Sequence, residues 1–311
     1  HVVLVVEILF HRRQAAVVLA DRRPTDGERA AIHDAIERAI TVDGTAPLSE
    51  QGVRALDGRG EDRHVVAMEN DVPVGYAVVT AATESAPQIA EVVVHPDRRG
   101  HGVGTRLVDH VLDVPGARVW AHGHLPAAQR VAERLDLVIA RELLQMRRPS
   151  SEALPESTTP DGIVVRTYRP GDDAEILRVN NAAFSWHPEQ GGWTQADIDE
   201  RKAESWFDPA GLFVATPADD DTRLLGFHWT KVHAPAGSDP ALGEVYVVGI
   251  DPAEQGRGLG RVLTLAGVRH LVDAGLPEVL LYVEADNAAA VHTYDRLGFT
   301  RFHTDTAFAR R

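Results

Sequence analysis

A short run of glycines in the second half of the chain has the spacing of an anion-binding loop. Gln255–Gly260 follows a strand-like segment, carries three glycines and opens a stretch with apolar residues at helical spacing. Small residues let the backbone approach a ligand, and the first-turn N–H groups of a helix lie at the positive end of its dipole. Arg257 and Arg261 could add positive charge. The loop therefore predicts a phosphate-binding site.

Other glycine motifs fit this loop less well. The dinucleotide-binding fingerprint has a different spacing, and a P-loop needs Gly-Lys followed by Ser or Thr, which the chain lacks. The remaining alternative is a glycine-rich turn that only packs a helix against a sheet. A second copy of the loop argues against that alternative, because His95–Gly104 aligns with Asp251–Gly260.

The whole chain repeats one plan. Val17–Asp26 matches Ile163–Asp172, and Ala127–Leu137 matches Ala289–Phe299, in the same order as the glycine loops. The offset between copies grows from 146 to 156 to 162 residues, so the second copy contains insertions. Three ordered matches disfavour the alternative of one continuous domain with chance similarity. The pattern of each copy predicts an α/β fold, with helices packed on a mixed sheet.

Local patterns predict the boundaries and several elements. A segment rich in Ser, Thr, Pro and Glu predicts a linker at 149–162 between domains 1–148 and 163–311. Thr25 and Glu28 have capping-box spacing before a helix at 30–39, and its counterpart in the second copy is expected at 172–184. Alternating patterns predict strands at 226–232 and 244–250.

Composition narrows the class of protein. The net charge is −14, and the second copy carries most of it, which argues against nucleic acid as a partner and favours a neutral or cationic acceptor. The absence of cysteine excludes disulfides, thiolate metal sites and a covalent cysteine intermediate, and it favours a cytoplasmic location. His122 and His124 lack an obvious third ligand, so we predict no metal.

The apolar run Val2–Phe10 is too short to span a bilayer, which takes about 20 apolar residues. We expect an N-terminal extension or an edge strand there, with a signal-peptide remnant as the alternative. No other segment has the length and apolar character of a membrane span, so we expect no membrane partner, and we expect a monomer.

Both glycine loops resemble the pyrophosphate loop of the GCN5-related N-acetyltransferases, the GNAT family. The family pattern Arg/Gln-x-x-Gly-x-Gly occurs at Arg99–Gly104 and Gln255–Gly260, and the second copy adds a strand at 279–284 followed by 287–299. This resemblance covers nearly the whole chain. It implies two tandem GNAT domains, each a mixed, mostly antiparallel sheet flanked by helices, with acetyl-CoA as co-substrate.

The resemblance assigns acetyl-CoA contacts to both copies. In the first copy they are Val92, Val93, Val94, Gly100, His101, Gly102, Val103, Gly104 and Thr105. In the second copy they are Val248, Gly249, Ile250, Gln255, Gly256, Arg257, Gly258, Leu259, Gly260, Arg261, Asn287, Ala288, Ala289, Ala290, Val291 and His292.

The resemblance also implies the chemistry. Asn287 would lie along the CoA arm and Tyr294 near the thioester sulfur, and a spacing of seven residues puts them on one helix face. Glu244 would deprotonate an amine, directly or through a water, because an α-amino group with a pKa of about 8 is mostly protonated at neutral pH. Tyr294 would protonate the leaving thiolate, and N–H groups at 248–250 would stabilise the oxyanion. The structural alternatives are a surface carboxylate at Glu244 and a core aromatic at Tyr294.

The first copy departs from the family pattern. Ala132 stands at the position of Tyr294, Leu125 at that of Asn287, and Asp136 replaces Gly298. We therefore expect the first domain to hold acetyl-CoA without turning it over.

A narrower resemblance concerns the acceptor. The segments Val179–Phe184, His187–Thr194 and Gly243–Gly249 resemble the mycothiol synthases, tandem GNAT enzymes that acetylate the cysteinyl amine of Cys-GlcN-Ins (the cysteinyl-glucosaminyl-inositol precursor of mycothiol). Composition and spacing do not identify this acceptor. The alternatives are another amine (an aminoglycoside, a polyamine or a protein N-terminus) and a CoA-sensing protein without catalysis. The resemblance points to acceptor contacts at Glu50, Glu189, Lys231, Glu244 and Tyr282.

Overall fold

The computed structural model describes residues 16–58, 61–83, 86–186, 190–235 and 240–311. They divide into two compact units. The first runs to Thr83, continues from Pro87 to Ala140 and takes up Ala307–Arg311, and the second comprises Arg141–Thr306. Each unit has helices packed on a sheet, so the predicted α/β fold is confirmed. The predicted extension at 2–10 and the acceptor candidate Glu189 lie outside the described residues.

Among the described residues, five strands and four helices lie within the first unit. The strands are β1 (Val18–Asp21), β2 (Arg63–Glu69), β3 (Val72–Thr80), β4 (Ile89–Val94) and β5 (Arg118–Ala121). The helices are α1 (Asp26–Asp43), α2 (Glu50–Leu56), α3 (Val103–Val111) and α4 (Pro126–Arg134). The strands lie in chain order and pair antiparallel, except that β4 and β5 are parallel. The capping box predicted at Thr25 and Glu28 is present and begins α1.

Among the described residues, seven strands and four helices lie wholly or mainly in the second unit. The strands are β6 (Val138–Pro149, from residue 141), β7 (Ile163–Thr167), β8 (Leu212–Pro217), β9 (Gly226–His233), β10 (Leu242–Ile250), β11 (Glu278–Glu284) and β12 (Thr300–Ala309, to residue 306). The helices are α5 (Asp173–Ala183), α6 (Gln195–Ala203), α7 (Leu259–Asp273) and α8 (Ala288–Arg296). The sheet order is β12-β6-β11-β10-β9-β8-β7, with β10 and β11 parallel. The strands predicted at 226–232 and 244–250 and the helix at 172–184 are confirmed.

Apolar cores lie on both faces of each sheet. In the first unit, Leu107 of α3 and Ile32 of α1 are fully buried in clusters that include alternate residues of β2 and β3. In the second, Leu271 of α7 packs with Leu281 of β11, while Ile176 of α5 packs with Trp229 of β9. Alternation along the strands sends neighbouring side chains to opposite faces, so each strand supplies both cores.

The two parallel pairs end early. β10 and β11 pair only from Gly243↔Val279 to Val245↔Leu281, although β10 continues to Ile250. β4 and β5 likewise pair over three positions, and β4 continues to Val94. Backbone N–H and C=O groups along that edge of each longer strand therefore do not pair with the parallel neighbour. Such groups need other partners, which a ligand can supply.

The segment predicted as a linker is anchored at its start. The side chain of Arg148 is buried and donates from Nε to the carbonyl of Leu297 at 2.8 Å. Its Nη2 donates to the carbonyls of Glu152 and Ala153 at 2.7 and 3.0 Å. Burial lowers the pKa of this guanidinium, and the negative charge of Glu152 acts in the opposite direction. The first residues after β6 are therefore tied to the end of α8.

The helices of the described residues are each too short or too polar to cross a membrane.

Candidate active site

In both glycine loops, the residue just before the helix has a left-handed backbone conformation. Gly102 (φ 82°) precedes α3 and Gly258 (φ 78°) precedes α7, and no side chain caps either helix. Gly100 and Gly256 also have positive φ, which strains any residue with a Cβ. The first-turn N–H groups of α3 and α7 are therefore left for an anion.

The arginines beside the second loop contact protein groups. Arg257 forms an ion pair with Glu254, which also accepts from Arg223 Nη2 at 2.7 Å. Arg261 Nη2 lies 3.3 Å from the carbonyl oxygen of Glu156 in the linker segment. Glu254 therefore offsets the positive charge expected from Arg257. The groups at the start of α7 that could bind an anion are then mainly backbone N–H groups.

The first unit holds a cavity of about 480 Å³ beside its glycine loop. Seven of the predicted first-copy contacts line it: Val92, Val93, Val94, Gly100, Gly102, Gly104 and Thr105. Of the other two, Val103 is buried in the core of the first unit, and His101 is not among the lining residues. Leu125 and Ala132, the replacements for Asn and Tyr, also line the cavity, so its wall is apolar where the family pattern places polar groups.

His122 lines the same cavity and contacts a buried carboxylate. Its Nε2 lies 2.8 Å from Glu91 Oε1, and the backbone N and Oγ of Ser49 donate to the same carboxylate at 3.0 and 2.9 Å. Within the part of the chain that the structure describes, no group of three or more His, Cys, Asp or Glu side chains is arranged to hold a metal ion.

Glu244 is buried, not a surface carboxylate. It lies on β10 with 6% of its surface exposed, directly opposite Lys231 on β9 and beside Leu280 on β11. The Nε2 atom of His233, two residues beyond Lys231, lies 2.5 Å from Glu244 Oε2. The pairing His233↔Leu242 puts all three polar side chains on one face of the sheet.

Two further acceptor candidates, Lys231 and Tyr282, share this face. Lys231 directs its Nζ toward the rings of Trp206 and Tyr246, 5.2 and 5.7 Å from their centroids, distances typical of cation–π contacts. Tyr282 lies two residues beyond Leu280, and its hydroxyl accepts from Gln145 Nε2 at 2.7 Å. Burial raises the pKa of Tyr282, and the charge of Glu244 adds to this, while the Gln145 hydrogen bond opposes it.

Glu50 belongs to the first unit. It is the first residue of α2, and its exposed carboxylate lies 3.3 Å from Arg54 Nη2.

The backbone of β10 is irregular beside Glu244. Its pairing with β9 shifts register between Val245 and Val247, so Tyr246 is the extra residue of a β-bulge. The predicted oxyanion segment Val248–Ile250 follows directly. A Cβ on Gly249 would lie 2.6 Å from the Phe227 ring, so glycine is needed there. The corresponding β3–β4 pairing in the first unit has no such shift.

Asn287 and Tyr294 lie at the two ends of α8. Asn287 caps the helix, with Oδ1 accepting from the Ala290 N–H at 3.1 Å, and this cap does not use its Nδ2 donor. Tyr294 is partly buried against the core of the second unit. Burial raises the pKa of its hydroxyl to about 12, so it keeps its proton at neutral pH. The predicted contacts Ala288–His292 form the first turns of this helix.

Sequence reasoning missed His233 and Gln145. His233 follows Lys231 by two residues, so strand alternation could have placed it on the same face. Gln145 is more than 130 residues from Tyr282, and only the β6–β11 register brings them together.

Comparison with known sequences identifies the family. The profile of the acetyltransferase (GNAT) family matches residues 30–136 and 178–299. The chain belongs to the acetyltransferase (GNAT) family. A curated mycothiol acetyltransferase of Rhodococcus erythropolis is 62% identical over 288 residues, covering 91% of this chain and 96% of that one. The mycothiol acetyltransferase of Mycolicibacterium smegmatis is 54% identical over 292 residues, with 92% and 96% covered.

Solved GNAT structures have the same fold. A GCN5-related N-acetyltransferase from Sphaerobacter thermophilus superposes with a TM-score of 0.69 at 23% identity, covering 93% of this chain and 94% of that one. A tandem GNAT protein from the clavulanic acid biosynthesis pathway superposes with a TM-score of 0.65 at 14% identity, covering 94% and 98%. The predicted tandem GNAT architecture is therefore confirmed, as is the predicted class of acetyltransferase.

Proposed function

We propose that this GNAT protein transfers the acetyl group of acetyl-CoA to the cysteinyl amine of Cys-GlcN-Ins, the last step of mycothiol biosynthesis. The reaction is assigned to the domain expected at 163–311, and the unit that holds Glu244 also includes the strand residues from Arg141 onward. The observation that carries the proposal is that Glu244 is buried and shares one face of the sheet with Lys231 and Tyr282. The names of the curated relatives support the choice of acceptor.

Glu244 is the proposed general base. The acceptor ammonium gives up one proton to the carboxylate, directly or through one water, and the free amine then attacks the thioester carbon. Glu244 is one residue before the last pair of the β10–β11 ladder, so it is close to the part of the β10 backbone edge that is proposed to contact the acetyl group. Lys231 and Tyr282, on either side of it, are proposed to orient the acceptor.

The bulged strand and α8 complete the proposed chemistry. N–H groups of Val248–Ile250 that do not pair with β11 stabilise the negative oxygen of the tetrahedral intermediate. The intermediate collapses with cleavage of the C–S bond: Tyr294 gives its proton to the departing sulfur, and the nitrogen, which became positively charged on attack, releases its extra proton to water, from which Tyr294 is reprotonated. A thiol has a pKa of about 8.5, so a hydroxyl with a pKa of about 12 transfers its proton only as charge builds on the sulfur. The acid step is therefore coupled to C–S cleavage.

The first domain is proposed to bind acetyl-CoA without catalysis. Its cavity, its glycine loop and the free N–H groups of α3 support binding. Ala132 has no proton to donate, and β4 lacks the bulge that precedes the oxyanion segment in β10. Because acetyl-CoA is the co-substrate, the proposed location is the cytoplasm.

An acceptor comparison tests the function. Purified full-length protein is incubated with acetyl-CoA and either Cys-GlcN-Ins, cysteine, a polyamine or an aminoglycoside. Both acetylated product and CoA are quantified by chromatography and mass, because the thiol of Cys-GlcN-Ins would interfere with a colorimetric thiol assay. We expect kcat/KM for Cys-GlcN-Ins to exceed the others by at least a hundredfold, and Glu244→Gln to lose most of it.

Two outcomes would argue for the alternatives. Comparable kcat/KM for another amine would replace the acceptor and keep the acetyltransferase. Binding of acetyl-CoA without turnover of any acceptor would favour the CoA-sensing alternative.

A further inference from the structure

The contact between His233 and Glu244 joins a buried side chain to a more exposed one. The Glu244 side chain is 8% exposed and the His233 side chain 34%, and their closest atoms, Oε2 and Nε2, are 2.5 Å apart. Two lone pairs would repel at this distance, so a proton lies between the atoms. With Glu244 ionised, that proton is on Nε2 and the imidazole donates to Oε2.

This hydrogen bond makes the two carboxylate oxygens of Glu244 different. Oε2 is taken by the imidazole, which fixes the rotamer of the side chain and leaves Oε1 for another partner. Lys231 is directly opposite Glu244, but its ammonium lies over the rings of Trp206 and Tyr246. His233 is therefore the strand neighbour that orients the carboxylate.

We propose that His233 is a positioning residue for the general base: it holds Glu244 through Oε2, so that Oε1 faces the acceptor amine. This inference rests on the proposed function. A carboxylate that is already held in the orientation for proton transfer has less freedom to lose in reaching it, so His233 raises the rate of deprotonation.

Other charged and titratable groups lie on the same face of the sheet as His233. Lys231 is on the same strand, Glu244 on β10 and Tyr282 on β11. Further along the face, Arg147 of β6 is 3.3 Å from Glu278 of β11, so those two charges offset one another. Of these groups, Glu244 is the one in hydrogen-bond contact with the His233 ring.

Two substitutions test the orienting role. His233→Ala removes the donor, and we expect kcat to fall ten- to hundredfold while the KM for acetyl-CoA stays within twofold. His233→Gln keeps an N–H donor, and we expect it to retain more than a third of the parent kcat.

A double-mutant cycle tests whether His233 acts through Glu244. In a Glu244→Gln background, His233→Ala should cost less than twofold, because the base it positions is already gone. His270→Gln is the matched control, since His270 also lies near a carboxylate, 3.6 Å from Asp208, on α7. We expect the control to keep the parent kcat and pH profile.

Three results would overturn the inference: an equal loss from His233→Ala in both backgrounds, a kcat for His233→Gln no higher than that of His233→Ala, or a kcat for His233→Ala within twofold of the parent. Thermal unfolding midpoints identify variants that fail to fold, and His233→Gln then carries the test. If the parent acetylates no amine, the proposed function fails. A parent that is active, with variants that behave like it, refutes only the role of His233.

Discussion

The ring of Tyr294 packs edge-on against that of Phe299, with centroids 6.0 Å apart and planes at 66°. Tyr294→Phe keeps this contact and removes the only proton that the side chain can donate. We therefore expect unchanged acetyl-CoA affinity by calorimetry and a fall in kcat of roughly 10²–10³, the range for loss of a general acid. If the variant keeps more than about half the parent rate while chemistry limits turnover, Tyr294 only packs.

The pH profile of the parent enzyme should not decline through Tyr294. Burial raises the pKa of this hydroxyl to about 12, so the protonated form, which is the active acid, persists through pH 9.5. We expect kcat to reach a plateau between pH 8.5 and 9.5. A descending limb that is present in the parent and absent in Tyr294→Phe would show that the hydroxyl ionises in this range.

Glu244→Gln should leave the reaction dependent on the ionisation of the amine itself. The amide is close in shape to the carboxylate but cannot take a proton, so only acceptor molecules that are already neutral react. The residual kcat/KM should keep rising with pH past about 8, the pKa of a free α-amino group. Steady-state rates from pH 6 to 9.5 measure this. A variant with the parent rate and profile would show that another group is the base.

Each chain should bind two acetyl-CoA molecules. Gly102 and Gly258 precede α3 and α7 with φ of 82° and 78°, a conformation that is strained for any residue with a Cβ. A glutamate at either position would also add negative charge near the proposed phosphate site. Calorimetry should give two sites for the parent and one each for Gly102→Glu and Gly258→Glu. A single site that survives Gly102→Glu and is lost in Gly258→Glu would show that the first unit does not bind.

The stability of the second unit should fall with acid because of His228. This ring is fully buried under α7, its Nδ1 lies 2.8 Å from the carbonyl oxygen of Leu263, and burial lowers its pKa to about 4. The unfolded chain binds a proton near pH 6.5 that the folded chain does not bind until about pH 4. Stability is therefore complete above pH 6.5 and is lost as pH falls toward 4, by roughly 2 kcal/mol between pH 7 and 5.

Urea unfolding at pH 7 and pH 5 measures this loss. His228→Gln, which does not titrate, should lose less stability over the same interval, although it is less stable at pH 7. His303→Gln, at a partly exposed ring, serves as the control. An equal acid loss in the parent and in His228→Gln would assign the effect to other groups.

Much of the architecture is visible in the sequence because it depends on local patterns. The glycine loops, the Thr25 capping box and the strands that carry Lys231 and Glu244 each follow from spacing within about ten residues. These patterns, repeated once, were enough to identify a tandem GNAT protein. The match between Asp136 and Gly298 also holds in the backbone, since both have positive φ after a helix.

The burial of Glu244 was not visible in this way. A glutamate on a strand is usually exposed, and only its place in the middle of the sheet, between β9 and β11, removes it from water. The engagement of Arg257 by Glu254 was also missed, because the pattern of the loop suggested that its charge was available to phosphate.

The sequence by itself determined the repeat, the family, the two glycine loops and the absence of Tyr and Asn from the first copy, since each is a matter of residue type at a fixed spacing. The tertiary structure decided which side chains meet. The register of β9 on β10 brings His233 to Glu244, and that of β6 on β11 brings Gln145 to Tyr282. A shift of one residue in either register would send these side chains to the opposite face, and no local pattern specifies a pairing between distant strands.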